Sequence, residues 1–222
     1  MERKQKFTTS EYYHVYSRGV ERRKLFMSKK DYTRFVCLLY IMNQRKSFHF
    51  GNFFKTHRLN DIFEEEVEET LVDIVSYVLM PNHFHLILYE KTEGGISKFM
   101  MKLLTAYSMY FNTKYERSGP LFVRPFRSQH ISGDSYFLWI FSYVHLNPVK
   151  LIEPDFKEKG IKNIDICKNF LKFYTYSSYI DYIGINRPEL KIINLSKIPE
   201  YIIQNAADFG FYTDNITEGS PR

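Results

Sequence analysis

An α+β domain is what this sequence predicts, and three observations carry the prediction. Residues 72–80 and 83–90 are rich in Val, Ile, Leu and Tyr and are joined by Pro81-Asn82, which reads as strand, turn and strand. Residues 12–19, Tyr-Tyr-His-Val-Tyr-Ser-Arg-Gly, alternate well enough for a first strand ending at Arg18-Gly19. Apolar residues at helical spacing then fill 29–45, 96–116 and 134–147.

Composition bounds the rest. A chain of 222 residues fits one domain with embellishment, or one domain plus a small appendage. Apolar content of 44% suffices for a core, and the 18 Tyr and 20 Phe could also supply surfaces on which unpaired bases stack. The net charge of +6 leans towards a polyanionic partner, and outside the acidic run Glu64-Glu-Glu-Val-Glu-Glu69 the chain is more basic still. Cys37 and Cys167 are too few and too far apart for a disulfide framework or a cysteine zinc motif. No apolar run reaches the ~18 residues of a membrane span. Met1-Glu-Arg-Lys-Gln-Lys6 leads into no apolar signal core, so the expected compartment is the cytoplasm and no membrane partner is expected.

The elements follow in order. After the polar loop 20–24, with Arg22, Arg23 and Lys24, Ser28 is a helix N-cap with Asp31 three residues on. Phe48 to Lys55 reads as a strand, 60–69 as an acidic helical segment, and His49 and His57 as incidental surface residues. Gly94-Gly95 opens the helix 96–116, whose Met and aromatic stripe is core and whose Lys98, Lys102 and Lys114 could reach nucleic acid. In Arg117 to Ser128, Arg117, Arg124 and Arg127 alternate with Phe122 and Phe126. That pattern suits a strand gripping phosphates and stacking bases, or equally an edge strand with solvated arginines. Gly133-Asp134 opens the helix 134–147; Pro148 ends it and biases Asn147 away from helical geometry. Beyond Leu151 the texture becomes charged and loop-like, so 151–222 reads as a partly helical C-terminal appendage.

Two constellations could carry chemistry. His83 and His85 are two apart in a strand and share one face, which is half a metal site. Tyr143 and Asn147 are four apart on a helix and share another face, with His145 turned elsewhere. A tyrosine hydroxyl is protonated at neutral pH, so as a nucleophile it needs a metal or cation beside it. An asparagine oxygen one turn away could be the third ligand of a hard cation. Each constellation alone has a plainer reading: a histidine pair on a half-exposed strand, and a core tyrosine followed by a turn-capping asparagine.

Together they change the odds. The order Ser17-Arg-Gly19, Met80-Pro-Asn-His-Phe-His85, Ser118-Gly-Pro-Leu-Phe122 and Tyr143-Val-His-Leu-Asn-Pro-Val149 closely resembles the REP-associated tyrosine transposases. These are a branch of the single-tyrosine HUH transposases of bacterial insertion sequences. The resemblance covers roughly 12–152, and Tyr176-Ser-Ser-Tyr-Ile-Asp-Tyr-Ile-Gly184 resembles a further segment of the family. It implies a ferredoxin-like or RRM-like antiparallel sheet with helices packed on one face. It places a catalytic domain over 1–150, with 48–70 as an insertion, and the nucleophile on Tyr143. The family's metal ligands fall on His83, His85 and Asn147.

The activity expected is metal-dependent cleavage and rejoining of single-stranded or hairpin DNA, with repeat hairpins added by the resemblance. Tyr143 would form a 5′-phosphotyrosine, and the donor set favours Mg²⁺ or Mn²⁺. Arg18, Arg124 and Arg127 are the candidates for holding DNA. Two rivals stand beside this reading: an RRM-like single-stranded nucleic-acid-binding module that cuts nothing, and a metal-dependent hydrolase using water. Oligomeric state is open between a homodimer, as in insertion-sequence relatives, and a monomer supported by the appendage.

Overall fold

The computed structural model describes residues 6–217. Residues 1–5 and 218–222, the outer ends of the two units expected above, lie outside the described residues. The first six main elements are β1 (Tyr12–Arg18), α1 (Lys29–Ile41), β2 (Asp73–Met80), β3 (His83–Tyr89), α2 (Gly95–Lys114) and β4 (Arg127–Ile131). All strand pairings are antiparallel and the sheet order is β2-β3-β1-β4. With β1 and β3 central and a helix crossing over after each, this is the expected ferredoxin-like arrangement. Then come α3 (Asp134–Leu146), a 3₁₀ turn over Asn147–Leu151, α4 (Ile164–Phe173) and α5 (Phe209–Thr217).

The pleat decides which layer each side chain joins. Successive residues of β3 face opposite ways, so Phe84, Leu86 and Leu88 leave the sheet on one side and His83, His85 and Ile87 on the other. The phenylalanine side receives the crossover helices: Phe35 of α1 lies 5.1 Å from Phe84, and Tyr107 of α2 lies 4.9 Å from Phe35, between ring centroids. The Tyr107 hydroxyl, buried there, donates to the Leu25 carbonyl at 2.6 Å. Ser28 opens α1 as expected, with Asp31 Oδ2 accepting the Ser28 and Met27 N–H groups at 2.8 Å each. The histidine side is not bare either, because α3 docks on it.

Two local expectations are corrected. Phe48 to Lys55 forms a helical turn at Phe50–Phe53, where the Arg34 guanidinium sits 4.0 Å from the Phe50 ring centroid. Its consecutive aromatics pack on one another rather than on two faces of a sheet. Residues 117–126 form a loop: Gly119 takes φ +85°, and Pro120 and Pro125 lack the N–H a ladder needs, so the strand begins only at Arg127. Lys98, Lys102 and Lys114 ride on α2, across the sheet from the histidines. Lys114 pairs with buried Asp31, and Lys102 donates to the carbonyls of Gln44 and Lys46.

The segment after Leu151 shares the apolar core of the sheet domain. It runs along the outer edge of β2: Leu79 N–H donates to the Tyr176 carbonyl at 2.9 Å, Ser178 N–H to Tyr77 at 3.0 Å and Asn194 N–H to Ile74 at 2.9 Å. A sheet edge would otherwise offer unpaired groups to other chains. All eight residues of β2 are buried as a result. Arg187 fastens the segment, binding Asp181 Oδ2 at 2.7 Å and reaching the Tyr77 hydroxyl at 3.0 Å. Among the described residues no helix is long and apolar enough to cross a membrane.

Candidate active site

β3 and β1 bring three histidines together. Tyr16 pairs with His85 and Arg18 with His83 across the ladder, so Tyr16, Arg18 and both histidines share the face that α3 covers. The rings of His83 and His85 are perpendicular, centroids 5.1 Å apart. His83 is held from behind. Asn82 donates through Nδ2 to the Arg22 carbonyl at 3.3 Å, which turns its Oδ1 to His83 Nδ1 at 2.7 Å. An amide oxygen only accepts, so His83 carries its proton on Nδ1 and keeps a lone pair on Nε2. His85 Nδ1 lies 2.8 Å from Nε2 of His14, which is buried on β1.

All three imidazoles are neutral at physiological pH, because burial penalises the charged form. Burial lowers His14 to about 3. It lowers His83 to about 4, opposed by the Asn147 side chain and assisted by Lys157 and Lys150. It takes His85 well below the ordinary range, helped by His14, His83 and Lys157.

α3 supplies the other half. Tyr143 faces the histidines: its ring stands at 88° to that of His85 with centroids 5.4 Å apart, and it stacks on Trp139 at 5.3 Å. The Lys157 ammonium lies 4.0 Å from the Tyr143 ring centroid. His145 points away, as the helical spacing requires, and contacts the Ser178 hydroxyl at 2.8 Å. Asn147 keeps helical dihedrals (φ −52°, ψ −40°), contrary to the expected bias from Pro148, because the chain tightens into a 3₁₀ turn instead of leaving the helix. Its side chain thereby stays one turn below Tyr143, buried to 2% exposure beside His83. Tyr143 reaches histidines of its own chain, so the constellation is complete within one copy.

A cleft of about 670 Å³ opens beside the histidines, lined by Tyr16, Arg18, Arg22, Lys24, Arg127 and Lys150 among others. Gly19 lets the basic loop 20–24 fold back onto it, since a Cβ there would run into the Arg23 carbonyl. Arg18 and Arg127 are thus brought to the site. Arg124 is exposed on the preceding loop and does not line the cleft.

The family model described as "Transposase IS200 like" matches residues 8–150. The chain belongs to the IS200-like transposase family. No curated protein matches it. Among solved structures, it is similar to a REP-associated tyrosine transposase bound to a REP hairpin, at 11% identity and a TM-score of 0.48, covering 85% of this chain and 90% of that one.

In this IS200-like transposase, sequence reasoning missed His14, Lys157 and Lys150. For His14 a signal existed: its alternation with Tyr16 and Arg18 puts it on the same strand face. Lys157 carried none, since only the docking of the segment after α3 brings it over Tyr143. Among the described residues no group of three or more His, Cys, Asp or Glu is arranged to hold a metal ion. A cation here would therefore depend on two imidazoles and an amide. The residues present fit one: His83 and His85 each engage Nδ1 with a neighbour, the Asn147 side chain hydrogen-bonds His83, and buried Asn147 Nδ2 has no hydrogen-bond partner. Rotating that amide presents its oxygen in the same place.

Proposed function

We propose that this chain is a metal-dependent single-stranded DNA nuclease and strand transferase acting on hairpin or repeat DNA, with Tyr143 as nucleophile. The observation that carries the reading is the convergence of Tyr143 on His85, rings 5.4 Å apart, from elements some sixty residues apart in the chain. His83, His85 and Asn147 would hold Mg²⁺ or Mn²⁺, which as a Lewis acid would neutralise charge on the scissile phosphate.

The chain's own residues divide the remaining work. Tyr143 Oη attacks phosphorus; the Tyr–O–P bond forms and the P–O3′ bond breaks, leaving a 5′-phosphotyrosine and a 3′-hydroxyl that takes up the proton the phenol gives away. Reversal by that hydroxyl, or by one from another strand, rejoins DNA without an outside energy source. Trp139, stacked on Tyr143, and Lys157, over its ring, restrict the phenol to one approach. Arg18, Arg127, Arg22, Lys24 and Lys150 surround the cleft with positive charge suited to a bent phosphate backbone. Arg124 remains a more peripheral DNA contact in this proposal. Single-stranded or hairpin DNA suits the site because an attacking side chain needs an exposed, deformable backbone.

The test is a denaturing gel of protein incubated with hairpin DNA and Mn²⁺, run for wild type, Tyr143→Phe and His83→Ala. A covalent band given by wild type alone supports the proposal. Cleavage persisting in Tyr143→Phe without an adduct would assign the reaction to water. Binding without cleavage or adduct, over several hairpins and metals, would leave a binding module.

A further inference from the structure

We propose that His14 is a positioning residue for the metal site, fixing His85 in the tautomer that leaves Nε2 free to ligate. The inference rests on the metal-dependent reading above. His14 Nε2 and His85 Nδ1 are 2.8 Å apart, and between two neutral imidazole nitrogens at that distance lies one proton. If His14 donated it, the His85 proton would sit on Nε2 and His85 could not bind a cation with either nitrogen. If His85 donates, Nδ1 is protonated, Nε2 carries the lone pair, and His14 accepts. Only the second arrangement matches His83, whose Nδ1–H is directed to Asn82 Oδ1. The two ligands would then be oriented alike, one by an amide oxygen and one by an imidazole.

The setting is built for this. β1 is flanked by β3 and β4, pairing His14 with Ile87 on one side and Gln129 on the other, so the imidazole is carried on a central strand paired on both edges. Its ring stacks on Tyr16, with centroids 4.9 Å apart, and is 6% exposed. A buried polar ring costs stability unless it is hydrogen-bonded, and a β-branched residue would fill a buried strand position without that cost. A pure packing role gives no reason for an imidazole there. Orientation of His85 does.

Two measurements test this. In metal-free wild type labelled with ¹⁵N-histidine, long-range ¹H–¹⁵N correlation is expected to show His85 protonated on Nδ1; protonation on Nε2 would overturn the assignment. Mn²⁺ titration followed by electron paramagnetic resonance is expected to show His14→Leu binding about 10- to 100-fold more weakly than wild type. His14→Gln, which restores an acceptor, should recover most of the loss. A folded His14→Leu with wild-type Mn²⁺ affinity would sink the proposal. If His14→Leu does not fold, the tautomer and the Gln variant decide. Should wild type bind no Mn²⁺, the metal reading itself fails and this proposal falls with it, whereas Mn²⁺ binding by wild type that His14→Leu leaves unchanged overturns this proposal alone.

Discussion

The ring of Tyr143 stands edge-on to the ring of His85, centroids 5.4 Å apart, with the Lys157 ammonium 4.0 Å from the Tyr143 ring centroid. A phenol confined between a cation, an indole and an imidazole is pre-oriented, which argues for a division of labour among these residues.

Lys157 should affect the rate of attack rather than the metal. Lys157→Ala removes a cation–π contact but no ligand, so Mn²⁺ affinity is expected to stay within about twofold while adduct formation slows about tenfold. Single-turnover kinetics on hairpin DNA, beside a metal titration, would check this; equal rates for variant and wild type would refute it.

Binding of DNA should respond to salt through particular residues. Arg18 and Arg127 line the cleft, whereas Arg124 does not. For a single-stranded ligand, each lost phosphate contact lowers the slope of log affinity against log salt by about 0.7. Arg18→Ala and Arg127→Ala are each expected to show that reduction, and Arg124→Ala a smaller one. Slopes unchanged in the first two would move the DNA path elsewhere.

Stability should fall with acid through buried neutral histidines. Burial holds His14 and His145 at about 3, below the ordinary ~6.5, so between these values the unfolded chain binds protons that the folded chain does not. Their stabilisation is therefore fully present above about pH 6.5 and is lost as pH falls towards 3, at about 1.4 kcal/mol per pH unit for each histidine. Denaturant titrations from pH 7 to pH 4 are expected to show this slope, and His145→Phe, if folded, to flatten it. A stability that is level over that interval would contradict it.

Arg187 should matter more for folding than for chemistry. It pairs with Asp181 of its own segment and from there reaches the Tyr77 hydroxyl, which ties the C-terminal segment to β2. Removing one partner of a buried pair leaves the other uncompensated, so Arg187→Ala is expected to cost about 3–5 kcal/mol in urea unfolding. A loss under about 1 kcal/mol would show that the pair is dispensable.

Much of this molecule was legible in the chain because local periodicity encodes local faces. Alternation in 83–90 placed His83 and His85 on one side of a strand, and spacing of four placed Tyr143 and Asn147 on one side of a helix with His145 turned away. Gly and Pro, which act on the backbone of their own neighbourhood, marked where most elements begin and end. What periodicity could not encode is which faces meet. Docking of α3 on the histidine side, the ladder register that sets His14 against His85, and the return of Lys157 over Tyr143 were decided by contacts between residues tens of positions apart. Such contacts depend on how apolar faces pack once the chain collapses, a property of the whole core. The same cause misled the reading of 48–55 and 117–126, where aromatics that suggested strands pack on one another or lie in a proline-bearing loop. The sequence alone thus determined the chemical groups and the faces they share, and tertiary packing alone determined that those faces close on one another.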